Sequence, residues 1–341
     1  SSSRNPPIPP STGYSKLRSR RLISLSGPDA THYLQGVITG NISSPTARSS
    51  GGIYAAFLNA QGRVLNDVFI YAESGADADG WLIEVDAQEA ERLAKHIKRY
   101  KLRAKFDVRL LEEGERNVWS VWRDEGMAGS NAASVEGEGR VGCEDARAPG
   151  MGRRLVLEAG RKPEEDGVEC DEGVYRVRRY LKGVPEGQSE LIREAALPQE
   201  SNVDFMGGID YRKGCYVGQE LTIRTHHTGV VRKRILPVML YGKDEPIPSV
   251  LEYLPEKAFG VEDIPKETSI GRFEKRGRSA GKWLAGVGNI GLALCRLEIM
   301  TDIQVQGEAG GYKEGDEFKL EWQVDGGDPE MAKVKAFVPP W

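Results

Sequence analysis

Cysteine is scarce in this 341-residue chain: Cys143, Cys170, Cys215 and Cys295 are the only four, and no two form a C-x-x-C pair. That spacing excludes a disulfide scaffold and argues against a structural zinc site contained in one chain, so a reducing compartment is expected. Long apolar runs are also missing. None approaches the roughly 18 residues that a membrane-spanning helix needs. There is no excess of basic charge either: 47 Lys and Arg face 51 Asp and Glu, for a net charge of −4 and a pI near 5.8. A globally basic nucleic-acid binder is thereby excluded. Glycine and proline, by contrast, are abundant, at 41 and 18 residues, about 17% of the chain against a usual value near 12%. Many turns, a β-rich chain and some long loops follow. At roughly 100 to 200 residues per domain, the length predicts two or three domains. The chain opens SSSRNPPIPPST without Met, which reads as a trimmed or a processed form from which any targeting peptide would have been removed, so this end does not give the compartment.

Residues 1–13, rich in Ser and Pro, are expected to be disordered or draped over the surface. Ser26-Gly27-Pro28-Asp29 reads as a helix start, with Ser26 as cap and Pro28 in the first turn. Ala30, Tyr33, Leu34, Val37 and Ile38 then recur at helical spacing and predict one buried face. Residues 53–59 and 63–73 are rich in β-branched and aromatic residues, and the Ala60-Gln61-Gly62 link predicts a hairpin. Residues 81–85 add a strand. Asp86 and Glu89 then suggest a capping box for a second helix with the apolar stripe Ala90, Leu93, Ala94 and Ile97. Its other side carries Arg92, Lys95, Lys98, Arg99 and Lys101, a basic run that reads as a solvated helix face. Strands at 117–123 and 155–158 bracket a polar stretch, 125–151, without hydrophobic periodicity, which reads as a mobile insertion. Cys143 is then an exposed loop cysteine, and Cys170, in the charged linker 162–172, is read the same way. After residue 235, short strands between turns predict a β-barrel or sandwich of roughly 100 residues, interrupted by the acidic stretch 243–278.

Between the linker and the barrel lies the least ordinary segment. From Tyr211 to Arg234 there are six basic residues, Arg212, Lys213, Arg224, Arg232, Lys233 and Arg234, against the single acid Glu220. This locally basic surface suits carboxylates, phosphates or an acidic partner. Cys215 stands between Gly214 and Tyr216, with Lys213 and Gly218 close by. Flanking glycines permit a sharp turn, and a neighbouring cation favours the thiolate, the form that binds metals and attacks electrophiles. A lone cysteine is usually a small buried hydrophobe, which is the competing reading. Any metal at Cys215 needs ligands from distant residues or another molecule. His226 and His227 are adjacent and diverge on any regular element, so they form a poor metal pair. Gly286-Val-Gly288-Asn-Ile-Gly291 matches G-x-G-x-x-G, but it lacks the strand-turn-helix context of a dinucleotide site. Asn41-Ile-Ser43 fits a glycosylation acceptor and carries little weight with reducing-compartment cysteines.

The run Lys213-Gly214-Cys215-Tyr216-Val217-Gly218-Gln219-Glu220 resembles the K-G-C-Y-x-G-Q-E signature of the YgfZ family, folate-binding relatives of the glycine-cleavage T-protein, an aminomethyltransferase. The continuation LTIRTHHTGVVRKR is similar to the mitochondrial branch of that family, an iron-sulfur cluster assembly factor that works with A-type scaffold proteins. GPDATHYLQGVIT, FLNAQGRVLNDVFIY, LPQESNVDF and GLALCRLE resemble the family in the same order. The resemblance implies an α+β, three-domain aminomethyltransferase-like fold with a central folate-sized cavity and a C-terminal β-barrel. The expected division is 13–62 plus 176–234, then 63–175, then 235–341. It further implies a role in maturing [4Fe-4S] proteins in the mitochondrial matrix, with Cys215 helping to hold an iron-sulfur cluster shared with the scaffold. Tetrahydrofolate would meet Asp67, Glu200, Asn202 and Arg224. The alternative is a tetrahydrofolate-dependent aminomethyl or one-carbon transferase. Where the aminomethyltransferases carry two adjacent acids, this sequence has Asn66-Asp67, so one carboxylate of a possible acid-base pair is missing. A maturation factor without turnover is therefore expected ahead of an enzyme.

Overall fold

The computed structural model describes residues 5–73, 80–124, 141–274, 277–307, 311–324 and 327–340. Its elements in chain order begin with strands β1 (Thr12–Lys16) and β2 (Arg20–Ser26), helices α1 (Ala30–Val37) and α2 (Pro45–Ser49), and strands β3 (Gly52–Leu58), β4 (Val64–Ala72) and β5 (Trp81–Asp86). Helix α3 (Ala90–Tyr100) leads to β6 (Asp107–Leu110), β7 (Arg116–Arg123), β8 (Val141–Glu144), β9 (Arg153–Glu158) and β10 (Val168–Cys170). Helices α4 (Glu172–Leu181) and α5 (Gln219–Thr228) precede β11 (Lys233–Tyr241), β12 (Ser269–Arg272), β13 (Gly281–Val287), β14 (Ile290–Arg296), the short α6 (Leu297–Met300), β15 (Phe318–Trp322) and β16 (Glu330–Ala336).

The strands form two five-stranded sheets, ordered β3-β4-β5-β2-β6 and β10-β1-β7-β9-β8, and a closed barrel, β11-β14-β13-β12-β15-β16. Alternation along the strands assigns the two faces of the first sheet. Ile23, Leu25, Val68, Ile70, Ile83 and Val85 pack against Leu34 of α1 and Leu93 and Ile97 of α3. The opposite face presents Leu22, Tyr54, Phe69, Tyr71 and Leu82 to Val118, Cys143 and Val156 of the second sheet. Helix α4 joins the second sheet to the barrel: its Val177 and Tyr180 share a core with Ile235, Leu284, Ile290 and Leu292. Residues 5–10 are draped across the same junction. Asn5 Nδ2 donates to Pro255 O at 3.0 Å, Tyr253 Oη to Pro6 O at 2.7 Å, and Trp122 Nε1 to Pro10 O at 2.9 Å.

Several local expectations change. The boundary placed between residues 62 and 63 falls in the turn of the β3–β4 hairpin, whose strands pair from Gly52 with Tyr71 to Leu58 with Val64. Residues 63–86 therefore share a sheet with residues 20–58. Ser26 ends β2, paired with Asp107, and is not a helix cap. Asp29 takes the cap position without a side-chain bond to the helix, because its carboxylate accepts from Lys105 N at 2.7 Å. Asp86 likewise ends β5, and α3 begins after Glu89. The expected insertion at 125–151 lies partly outside the described residues, but 141–151 are built into the protein. β8 pairs with β9, Asp145 and Arg147 are buried, and Cys143 is 2% exposed, with its thiol pushed up by burial. Cys143 is thus a core residue. Gly286-Val-Gly288-Asn-Ile-Gly291 forms the β13–β14 hairpin, where a Cβ on Gly286 or Gly291 would lie 2.4 Å from the Trp283 ring. Those glycines make room for tryptophan.

Candidate functional site

The loop that carries Cys215 is fastened to the end of α1. Thr39 Oγ1 donates to Gly208 O at 2.5 Å, Asp210 N donates to Thr39 O at 2.9 Å, and Val217 N donates to Gly36 O at 3.0 Å. Lys213 Nζ donates to Ile38 O and Gly40 O, each at 2.7 Å, and lies 4.9 Å from the Tyr216 ring centroid. Burial pulls its ammonium down to about 8, with Asp210 opposing. Tyr216 is 6% exposed and joins the core between the two sheets. Gln219 Oε1 accepts from Tyr216 N at 3.2 Å and so ties the first turn of α5 back to the loop.

Gly218 precedes α5 in the left-handed region, with φ 81°, and a Cβ there would stand 2.3 Å from Asn59 O in the β3–β4 turn. Across that contact, a Cβ on Gly62, at φ 78°, would stand 2.9 Å from Gly218 O. Two backbones meet here at a distance that only glycine permits. Cys215 remains exposed between these anchors, on a loop held on both sides. Glu220 is exposed in the first turn of α5, where the helix dipole favours an acid.

The basic segment is partly neutralised by the fold. Lys213 points inward. Arg234 pairs with both oxygens of Asp204 at 2.9 Å and lies 3.7 Å over the Phe205 ring. Lys233 is 3.4 Å from Glu200. Arg212 and Arg224 are exposed. His226 stacks on Tyr211 at 3.7 Å between ring centroids, which gives that histidine a packing partner. Among the described residues, no group of three or more His, Cys, Asp or Glu is arranged to hold a metal ion.

The four residues assigned to folate divide. Asn202, with φ 61°, donates through Nδ2 to Ile235 O at 2.6 Å, and Glu200 O accepts from Ile235 N at 2.8 Å. Both hold the first barrel strand, and Glu200 also lines a crevice of about 60 Å³ with Leu197, Ile235 and Leu284. Arg224 is exposed on α5. Asp67 is fully buried, accepting from Gly187 N at 3.0 Å with Arg20 at 3.6 Å. Its neighbour Asn66 donates to Gln188 Oε1 at 3.2 Å and accepts from Arg193 at 3.0 Å. Three buried polar atoms around Asp67 lack hydrogen-bond partners: Asp67 Oδ2, Arg20 Nη1 and Tyr54 Oη. Burial raises the Asp67 carboxyl, with Arg20 opposing. Buried polar groups of this kind are usually satisfied by a partner or an ordered water.

Asp67 borders a buried ionic hub that sequence reasoning missed. Arg20 Nε meets Glu84 at 2.8 Å, and Tyr71 Oη donates to the same carboxylate. Arg154 lies 3.5 Å from Glu84 and contacts Glu186. Arg147 pairs with Asp145 and Glu186 at 2.8 Å each, and Tyr175 Oη donates to Glu186 at 2.7 Å. Arg179 Nη1 meets Glu190 at 2.7 Å. The hub joins both sheets, α4 and the 186–190 segment. The one available signal was alternation: Glu84 falls on the inward-facing positions of its strand with Leu82.

Comparisons with known proteins place this architecture. The family model of the CAF17 C-terminal β-barrel domain matches residues 232–341. A solved glycine cleavage system aminomethyltransferase T from Bartonella henselae superposes with a TM-score of 0.63 over 96% of this chain and 86% of that one, at 12% identity, and so shares the fold. An iron-sulfur cluster assembly factor IBA57 homolog, mitochondrial, of Pyricularia oryzae is 55% identical over 96% of this chain and 84% of its own length. The corresponding proteins of Chaetomium globosum and Aspergillus fumigatus are 50% identical over 96% of this chain and 83% of their own, and 48% identical over 100% and 84%. With about half of its residues shared along nearly its whole length, on an aminomethyltransferase-like fold that ends in a closed barrel, the chain belongs to the family of mitochondrial iron-sulfur cluster assembly factors IBA57.

Proposed function

We propose that this mitochondrial assembly factor works by lending the Cys215 thiolate to an iron-sulfur cluster that an A-type scaffold protein brings, in the maturation of [4Fe-4S] proteins of the matrix. The observation that carries this reading is an exposed cysteine on a loop fastened to α1 and to the β3–β4 turn, where the described residues hold no group of three or more His, Cys, Asp or Glu arranged for a metal ion. Iron-sulfur clusters are held chiefly by Cys thiolates, so a single presented thiolate calls for a partner that supplies the rest. Exposed Arg212 and Arg224 favour an acidic face on that partner. The test mixes the apo-protein with cluster-loaded scaffold and records visible absorption and co-elution. Wild type is expected to form a coloured heterocomplex and Cys215→Ser to lose it. An unchanged spectrum with Cys215→Ser removes the ligand role.

A second reading, tetrahydrofolate binding, rests on the bare atoms Asp67 Oδ2, Arg20 Nη1 and Tyr54 Oη. Asp67 would accept from the pterin edge, and Arg20 and Tyr54 would donate to it. A reduced folate at 100 times its dissociation constant should stabilise the fold by about 2.7 kcal/mol, read as a rise in melting temperature that Asp67→Asn reduces. No rise at saturating ligand ends this reading. Consumption of an aminomethyl, formyl or methyl donor would instead support a transferase.

A further inference from the structure

The end of α3 carries a feature that neither the cysteine loop nor the ionic hub uses. Between Arg92 and Lys105 the sequence holds seven Lys and Arg and no acid, inside a chain of net charge −4. Helix α3 buries Ala90, Leu93, Ala94 and Ile97, which leaves Arg92, Lys95, Lys98 and Arg99 on its outer side. Arg92 and Lys95 lie 3.7 Å and 3.6 Å from Glu89 and Glu91 of their own first turn. Lys101 donates to Phe106 O. Lys98, Arg99, Arg103 and Lys105 are exposed, have no ion pair among the described residues and flank the helix end in sequence.

Two apolar side chains stand among those cations. Tyr100 is 52% exposed and Leu102 is 83% exposed, with Tyr100 braced by the His96 ring at 4.7 Å. Leu102 follows the helix at φ 48°, the left-handed position after a helix that glycine usually fills. An apolar residue near such a helix end commonly packs back on the last turn, but this one is in solvent. Backbone strain and an apolar side chain in water both work against the folded monomer, so their coincidence calls for something outside it.

We infer that this tip is a peripheral docking surface for an anionic lipid bilayer. Anionic headgroups would neutralise Lys98, Arg99, Arg103 and Lys105. Leu102 would leave water for the acyl boundary, and Tyr100 would lie at headgroup level, where an aromatic ring with a polar tip is favoured. A nucleic acid would satisfy the cations but offer Leu102 no apolar environment, whereas a bilayer supplies anionic headgroups and an apolar layer at once.

The test is flotation of the full chain with vesicles of phosphatidylcholine alone and of phosphatidylcholine mixed with phosphatidylglycerol. Binding is expected only to the anionic vesicles and is expected to fall with added salt. Lys98→Gln and Arg103→Gln should each weaken it about fivefold. Leu102→Gly should weaken it several-fold while leaving the urea midpoint unchanged or raised, because glycine relieves the backbone strain. Cys215→Ser should bind vesicles as wild type does, which separates this surface from the cluster site. Equal binding to both vesicle types, or none to either, overturns the inference. So does a Leu102→Gly protein that binds undiminished while the cation variants fail, since the surface would then be an acidic-macromolecule site.

Discussion

Single residues set the geometry of the cysteine loop. Lys213 has the composition of a surface cation, yet its ammonium is turned inward onto the carbonyls of Ile38 and Gly40. The end of a helix, where unpaired carbonyls collect, is a favourable place for a cation. The cation beside Cys215 in sequence thus acts on the loop's shape. Gly218 is constrained twice, by φ 81° and by Asn59 O at 2.3 Å from any Cβ. Gly218→Ala should cost about 1 to 3 kcal/mol from backbone strain alone, with more from the clash. The expected outcome is a lower denaturant midpoint and weaker formation of the shared cluster, although the thiol itself is intact. A Gly218→Ala protein with wild-type midpoint and cluster transfer would show that the approach of the β3–β4 turn to α5 has no bearing on the site.

Elements show which parts of the fold could be read from the sequence. The β3–β4 hairpin and α3 were legible because their signals are local: alternating apolar residues around Ala60-Gln61-Gly62, and an apolar stripe at helical spacing. The barrel was legible from its run of short strands. The start of α1 was misplaced because Ser26 pairs in β2, a choice made by sheet formation and not by capping preference. β8 was lost because only Val141 and Cys143 mark its inner face, and the residues after it, Asp145 and Arg147, are buried as ion pairs that hydropathy scores as surface. The eight residues from Lys213 to Glu220 stood out at once, since the motif is contiguous. Its anchors did not: Gly36, Thr39 and Gly40 lie more than 160 residues earlier. Spacing cannot reveal contacts made by the fold. For the same reason Asp67, Glu200, Asn202 and Arg224 were grouped by resemblance, whereas the structure assigns Glu200 and Asn202 to holding β11 and leaves Arg224 on the surface.

The whole molecule is joined by charges that water does not reach. Glu186 is held well below the usual carboxylate range because Arg154, Arg147 and Arg179 outweigh its burial. Asp145 is lowered as well, by Arg147 and Arg154 against burial. Such carboxylates contribute stability that is present above their unfolded-state values, 4.5 for Glu and 3.8 for Asp, and is lost as pH falls towards their folded values. Asp67, raised by burial, works in the opposite sense, so its protonation favours the folded state. The part of the stability that rests on Glu186 and Asp145 should therefore decline below about pH 4.5, and Glu186→Gln should lower stability at neutral pH while making the decline shallower. Urea midpoints at a series of pH values check both; parallel curves for the two proteins would count against the hub as the acid-sensitive joint. The same hub bears on how stability varies with temperature. Unfolding hydrates apolar groups, which raises heat capacity, and hydrates polar and charged groups, which lowers it. An interior that stores Arg20, Arg147, Arg154 and Arg179 with their carboxylates releases both kinds of surface at once. Its heat-capacity increment is smaller than that of an all-apolar interior of equal size, and its stability curve is correspondingly broader and flatter, towards cold as well as heat.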